Sequence, residues 1–365
     1  MASGHVAILG TGLIGGSVGL ALRAADPALP IIGYDPAPGE AERAVARGAA
    51  SAAAPSAHAA AEGARMVVLA MPVDRMPEVC RSLEAVVGSD AVVTDVGSAK
   101  AGVVAQGEAS FGDRFVGGHP MAGSERHGID AADDALFEGA WWILTPTSRT
   151  SSTAYSRVLE LVARAGGKPI AIDPSTHDVL LARLSHLPQI ASSAIVEVAV
   201  ASGDRETLLG LAGNGFRDVT RIAASNPDLW VAIIKSNRAS VLEALDGLGD
   251  RLRRVAELVR EESWDELARW LDGARRARLE LFAKPHYTGE PVGLSMLIPD
   301  RPGVLAEVTT AAGKLGANIE DLRIVHSTEG GRGRLELVVA GREPADRLSD
   351  MLQEIGYHVT TGTVD

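Results

Sequence analysis

The chain has a single cysteine, Cys80, in 365 residues, so it can close no disulfide within itself. That composition suits a reducing compartment, and the cytoplasm is the expected location. Aromatic residues are scarce at 4%, so the core must be built largely from aliphatic side chains. Positive charge is in deficit, since 35 Lys and Arg against 47 Asp and Glu leave a formal charge of −12. An acidic surface disfavours nucleic acid and anionic membrane as partners. It still leaves room for a local basic pocket that takes a small anion. No uninterrupted apolar run approaches the ~20 residues of a membrane span, so no membrane association is expected. A strand pattern begins at His5, and no leader is expected before it. His58, His177, His286 and His326 show no ligand spacing, and one cysteine rules out a thiolate cluster. No metal site is expected.

What is present is the balance of a globular chain, with 46% apolar and 22% charged residues. The length suits two or three domains. In the first half, short apolar runs alternate with helical stretches. Strands are expected at Val6–Leu9, Ile31–Tyr34, Met66–Ala70, Val92–Asp95, Phe115–Gly118, Trp142–Thr145 and Ile170–Ile172. Continuous apolar strands separated by helices indicate a parallel sheet covered on both faces. The Ala-rich stretch Ala49–Ala61 reads as surface. From Ser175 to Ala283 the spacing becomes helical, with a helix start at Asn226–Pro227 running to Leu248 and a helix at Trp264–Phe282. A helical block this rich in Leu and Ala is expected to bury a face in a second copy of the chain. Lys284–Pro291 reads as a linker. Beyond it, βαββαβ order over Gly293–Thr361 predicts a small ferredoxin-like α+β unit.

The string Gly10-Thr11-Gly12-Leu13-Ile14-Gly15 directly follows the first strand and opens a helix. Gly10 permits a tight turn, Gly12 lets backbone approach a pyrophosphate, and Gly15 lets helix pack on strand. The helix N-terminus, through Leu13 and Ile14, then turns N–H groups and positive dipole toward phosphates. Asp35 closes the second strand 20 residues after Gly15. Its carboxylate can accept from both ribose hydroxyls and repels a 2′-phosphate, and no arginine adjoins it. A Rossmann-like α/β domain that binds NAD rather than NADP is the expectation.

Three further strings carry chemistry: Asp95-Val96-Gly97-Ser98-Ala99-Lys100, Gly117-Gly118-His119-Pro120-Met121-Ala122-Gly123-Ser124-Glu125, and Gly215-Phe216-Arg217-Asp218-Val219-Thr220-Arg221-Ile222-Ala223. Together with Ser185-His186-Leu187-Pro188 they resemble the prephenate/arogenate dehydrogenase family, and the resemblance covers essentially the whole chain. It implies NAD-dependent oxidative decarboxylation of prephenate to 4-hydroxyphenylpyruvate in tyrosine biosynthesis, or of arogenate to tyrosine. It implies that His119 is the catalytic base and that Ser98 hydrogen-bonds it or the substrate. By the same resemblance Arg221 grips a substrate carboxylate, and His186 lies near the pocket. Arg217 is expected on the same helical face as Arg221, where it would disfavour an ammonium group and favour prephenate. Glu125 and Asp218 are expected to pair with these arginines. The family often has a second histidine after Leu-Pro, where this chain has Gln189.

Pro299-Asp300-Arg301-Pro302-Gly303-Val304-Leu305, followed by Gly316-Ala317-Asn318-Ile319, resembles an ACT domain. That resemblance implies a tyrosine effector held near Gly303 and Asn318. The expected division is a Rossmann domain over 1–173, an all-α dimerisation and substrate domain over 174–286, and an ACT domain over 290–365. Two other readings remain. A different NAD-dependent acid dehydrogenase would rely on a lysine base, for which Lys100 is the candidate. A nucleotide-sensing regulator would need a basic DNA-binding module, which the acidic chain does not offer.

Overall fold

The structure is a computed structural model of the chain, and it describes residues 4–123, 126–201, 210–282, 290–299, 304–326 and 332–363. It forms two compact units, Met1–Ala256 and Glu257–Asp365.

The first unit is built on an eight-stranded sheet, in the order β3-β2-β1-β4-β5-β6-β7-β8. The strands are β1 (His5–Leu9), β2 (Ile31–Tyr34), β3 (Ala52–Ala53), β4 (Ala64–Leu69), β5 (Val92–Asp95), β6 (Phe115–Pro120), β7 (Trp141–Thr145) and β8 (Lys168–Ala171). Side chains alternate across the sheet, as strand geometry requires. Val6 and Ile8 of β1 enter one core, while Ala7 and Leu9 enter the other. The first core is closed by Val18 and Leu22 of α1 (Leu13–Ala25) and by Val158 and Leu161 of a helix at Ser152–Arg164. The second is closed by Met76, Cys80 and Leu83 of the Met76–Leu83 helix and by Val103 and Val104 of the Ala101–Phe111 helix. Burial pushes the Cys80 thiol up to about 12, so it packs as an inert apolar group.

The sheet is not wholly parallel, because β7 runs antiparallel to β6, pairing His119 with Ile143. A parallel return needs a crossover, usually a helix. The described part of 121–140 holds only a single 3-10 turn at Ile129–Ala131. The Ala-rich stretch is not surface. Ala49, Ala50, Ala60 and Ala61 are buried, and the segment supplies β3 and a helix at Ala57–Ala61.

After β8 the chain turns helical. Asp173 caps the Pro174–Leu181 helix, accepting from the N–H groups of Ser175 and Thr176, with Pro174 in the first turn. A π-helical turn at Ala182–His186 leads into the Leu187–Val200 helix, and the whole runs continuously for 27 residues. Length and composition alone would let this helix cross a bilayer. It escapes a search for uninterrupted apolar runs because His177, Asp178, Arg183 and His186 interrupt it. Further on, the expected single run to Leu248 is two helices, Pro227–Ser236 and Arg238–Arg260. The break falls at Asn237 (φ −120°, ψ 35°), whose buried side chain is used in the site. Within the single chain, Leu184, Val198, Val219, Val231, Leu242 and Leu252 of this helical region are exposed.

The second unit holds the Trp264–Phe282 helix and a four-stranded antiparallel sheet in the order β10-β11-β9-β12. Its strands are β9 (Pro291–Pro299), β10 (Ile319–His326), β11 (Arg332–Ala340) and β12 (Val359–Thr363). Helices at Val304–Leu315 and Arg342–Glu354 complete the ferredoxin-like order. Leu294, Met296, Leu335, Leu337, Val308 and Leu348 form its core. Tyr357, expected in the last strand, precedes it and donates its hydroxyl to Glu307 at 2.7 Å.

Candidate active site

The carboxyl ends of parallel strands are where open α/β sheets bind ligands, and the glycine turn lies there, after β1. Gly10 has φ +99°, and a Cβ on it would lie 2.4 Å from the Ala70 carbonyl oxygen. A Cβ on Gly15 would lie 1.9 Å from the Gly10 carbonyl oxygen. At Gly12 the space is open, with the nearest atom 4.0 Å away. Gly12 caps α1 without a side-chain hydrogen bond, so the first turn, with the half-buried Leu13 and Ile14, keeps its N–H groups for a ligand. Asp35 accepts from Thr11 N at 2.8 Å on one oxygen and from Ala37 N at 2.9 Å on the other. Each oxygen keeps a lone pair for a ribose hydroxyl. The buried Thr11 hydroxyl has no partner among the described residues. These residues fit a dinucleotide.

Further along the same edge, β6 carries His119 one residue before its end. The imidazole is buried, and its Nδ1 lies 2.9 Å from Nε2 of His177. His177, wholly buried on the Pro174–Leu181 helix, has its Nδ1 2.9 Å from Oδ1 of Asp178. The Asp178 carboxylate also accepts from Lys100 N at 2.7 Å and Ala101 N at 2.9 Å, at the start of the Ala101–Phe111 helix. Beneath them Lys100 is fully buried and paired with Asp95, and its Nζ donates to Gly118 O at 2.8 Å. Burial holds the His119 ring well below the ordinary imidazole range, reinforced by His177, Lys100 and His186. His119 is therefore neutral at physiological pH. Burial also lowers Lys100, while Asp95 and Asp178 oppose that shift.

The π-turn and the helix after it bring up a second group. His186 is 1% exposed, and burial pushes it down to about 4. Its Nδ1 lies 3.3 Å from Nδ2 of Asn237, which donates to the Asp178 carbonyl oxygen at 2.7 Å. His186 Nε2, Gln189 Oε1 and Ser192 Oγ are all buried and have no hydrogen-bond partner among the described residues. They recur at spacings of three on one side of the helix. Buried polar atoms are normally satisfied, so this row has hydrogen-bonding capacity that the described residues of the single chain do not fill.

The sequence-predicted residues divide accordingly. His119 and His186 enter one buried cluster. Ser98 lies half-buried on the strand-end loop after β5 and shows no hydrogen bond to His119 among the described residues, while His177 takes the Nδ1 side of that ring. Arg217 and Asp218 lie on the Asn214–Thr220 helix, and Arg221 opens its 3-10 continuation. All three are exposed in the single chain, and Asp218 takes no ion-pair partner among the described residues. Glu125 and Gly303 lie outside the described residues. Asn318 is exposed and donates its amide to Glu320. Sequence reasoning missed His177, Asp178, Asn237 and the structural role of Lys100. The available signal was a helix start at Asp173-Pro174, which places His177 and Leu181 four apart on one face. A separate cleft of about 430 Å³, lined by Asp74, Arg75, Gly102 and Lys235 among others, contains none of the predicted site residues.

Residues 18–171 match the nucleotide-binding domain of prephenate dehydrogenase, and residues 173–273 match its dimerization domain. Prephenate dehydrogenase of Bacillus subtilis is 32% identical over 338 residues, 91% of each chain. The chain belongs to the prephenate dehydrogenase family. A crystal structure of the Aquifex aeolicus family member, in complex with hydroxyphenyl propionate and NAD+, is 33% identical with a TM-score of 0.71. That likeness covers 77% of this chain and 99% of the other. Synechocystis arogenate dehydrogenase is 28% identical with a TM-score of 0.66, covering 76% and 99%. Membership accounts for the helical region, since a dimerization domain leaves apolar residues such as Leu184 and Val198 exposed when a single chain is viewed alone.

Proposed function

We propose that the protein catalyses the NAD-dependent oxidative decarboxylation of prephenate to 4-hydroxyphenylpyruvate. The observation that carries this reading is a neutral, buried His119 at the carboxyl end of β6, on the strand edge that bears the glycine turn. When bound, NAD supplies the nicotinamide that accepts the hydride. Gly10, Gly12, Gly15 and the first turn of α1 hold the pyrophosphate, and Asp35 holds the ribose.

His119 accepts the proton of the ring hydroxyl at Nε2 as the hydride departs, and can return it to the phenol oxygen once CO2 has left. The electron pair of the broken carbon–carboxylate bond closes the aromatic ring, so no outside proton is consumed. Arg221 binds a substrate carboxylate through its planar fork, with Arg217 beside it. Ser98 hydrogen-bonds His119 or the substrate and fixes their geometry. His186, Gln189 and Ser192 offer their unpartnered atoms to the pocket. Glu125 and Asp218 are assigned to orient the arginines. Two copies associate through the helical domain, residues 174–286. The domain over 290–365 is assigned as an ACT unit that holds tyrosine near Gly303 and Asn318, and the cytoplasm as the location.

The test follows NADH formation with prephenate and with arogenate, which carries an ammonium in place of the keto group. Greater kcat/KM with prephenate supports the proposal. Turnover of arogenate alone would replace it with the arogenate reading, and turnover of neither would reject both.

A further inference from the structure

We propose that Asp178 and His177 form a positioning pair that fixes the tautomer of His119, presenting its Nε2 to the substrate as an unprotonated lone pair. The inference rests on the reading of His119 as the proton acceptor.

Asp178 receives two backbone N–H groups, from Lys100 and Ala101, at 2.7 and 2.9 Å. Backbone donors cannot turn round, and the His177 hydrogen bond together with them holds the carboxyl below its ordinary range despite burial, so it is an anion. An anionic carboxylate only accepts. His177 Nδ1, 2.9 Å from Oδ1, must therefore carry its hydrogen. Burial lowers His177 as well, so its ring is neutral and its Nε2 is an acceptor. His119 Nδ1 lies 2.9 Å from that nitrogen, and a hydrogen bond there requires the hydrogen to sit on His119 Nδ1. Neutral imidazole carries one N–H, so Nε2 is left bare.

The alternative, a doubly protonated His177 with the hydrogen of His119 on Nε2, would place a cation near buried Lys100. His186 and Asp95 are the other titratable groups whose charge acts on these rings. The arrangement also supports the step itself. When Nε2 takes the hydroxyl proton, His119 becomes a cation whose Nδ1–H already points at His177, with the Asp178 anion beyond. Only the one proton moves, from the hydroxyl oxygen to Nε2. Asp178 has a structural duty too, capping the Ala101–Phe111 helix. That cap needs no histidine, so substitutions at position 177 separate the two roles.

The tautomer is readable in the full-length wild-type protein by NMR with ¹⁵N-labelled histidine, without substrate. The expected spectrum shows His119 protonated at Nδ1 and bare at Nε2, and an Nε2–H signal would overturn the proposal. His177→Phe, a ring without an acceptor, should shift His119 toward the Nε2–H form. It should lower kcat by about a hundredfold, the scale of lost general-base help, with KM changed by less than about threefold. His177→Gln, whose amide oxygen can still accept, should restore part of that loss. A folded His177→Phe protein with wild-type kcat and an unchanged His119 signal would overturn the pair. If wild-type His119 shows the expected tautomer but neither prephenate nor arogenate is oxidised, the positioning pair stands and the substrate reading falls.

Discussion

Lys100 donates from Nζ to the carbonyl oxygen of Gly118 at 2.8 Å, and Gly118 immediately precedes His119. The N–H of Gly118 is held as well, by Asp95 Oδ1 at 3.2 Å, and Asp95 pairs with Lys100. One buried ion pair thus fixes both backbone groups of the residue before the base. Breaking such a pair from one side leaves a buried charge uncompensated. Lys100→Met should therefore destabilise the protein by about 3–5 kcal/mol in chemical denaturation. An unchanged denaturation midpoint would mean that the Lys100–Asp95 pair does not contribute to stability.

His119→Asn should leave NAD binding near wild type, because the glycine turn and Asp35 are untouched, and should reduce turnover by about a hundredfold or more. Titration with NAD and steady-state rates on the same preparation check both halves. Near-normal turnover would remove His119 from the chemistry.

The pH profile follows from the lowered pKa of His119. Its ordinary value is 6.5, and burial with His177, Lys100 and His186 holds it well below that. The free enzyme should keep its base neutral through the neutral range, so kcat/KM should stay flat on acidification through 6.5 and fall only well below it. An acid limb centred at 6.5 would show an exposed, unperturbed imidazole.

Stability should respond to acid in the same direction. His186 falls from 6.5 when unfolded to about 4 when folded. Between those values the unfolded chain binds more protons, so stability is lost as pH falls through the window. Thermal midpoints should drop on acidification from about 6.5 to about 4, and less steeply in His186→Gln. Parallel curves for the two proteins would show that His186 titrates normally.

The cofactor turn was legible because its chemistry is local. Gly10, Gly12, Gly15 and Asp35 are constrained by a strand, a tight turn and a helix start within one βαβ segment. His119 and His186 stood out through the strings that flank them. His177 and Asp178 did not, since the partner of His177 lies 58 residues away and nothing in either neighbourhood announces it. Asn237 was read as interior to a helix because its break is imposed by tertiary contact rather than by Gly or Pro. Strand β3 was missed because Ala52 and Ala53 carry no β-branched signal, and the reversal of β7 was invisible because an apolar run does not encode direction. Ser98 and His119 were placed on one rim because both follow strand ends, and a run of sequence does not reveal that His177 takes the Nδ1 side of the His119 ring.

Gly15→Ala should abolish dinucleotide binding, since its Cβ would meet the Gly10 carbonyl oxygen at 1.9 Å and displace the turn. Calorimetric titration with NAD reads this directly, and wild-type affinity in the folded variant would show that the turn is not the cofactor site.

The central claim is that a neutral His119 faces the substrate hydroxyl while a guanidinium holds the carboxylate. A crystal structure of the protein with NAD and a hydroxyphenyl propionate analogue measures it most directly. The account predicts His119 Nε2 within about 2.6–3.2 Å of the analogue's hydroxyl, with Arg221 of the same or the partner subunit on its carboxylate. An analogue bound away from His119, or Arg221 on the far side of the molecule from it in both subunits, would contradict the account.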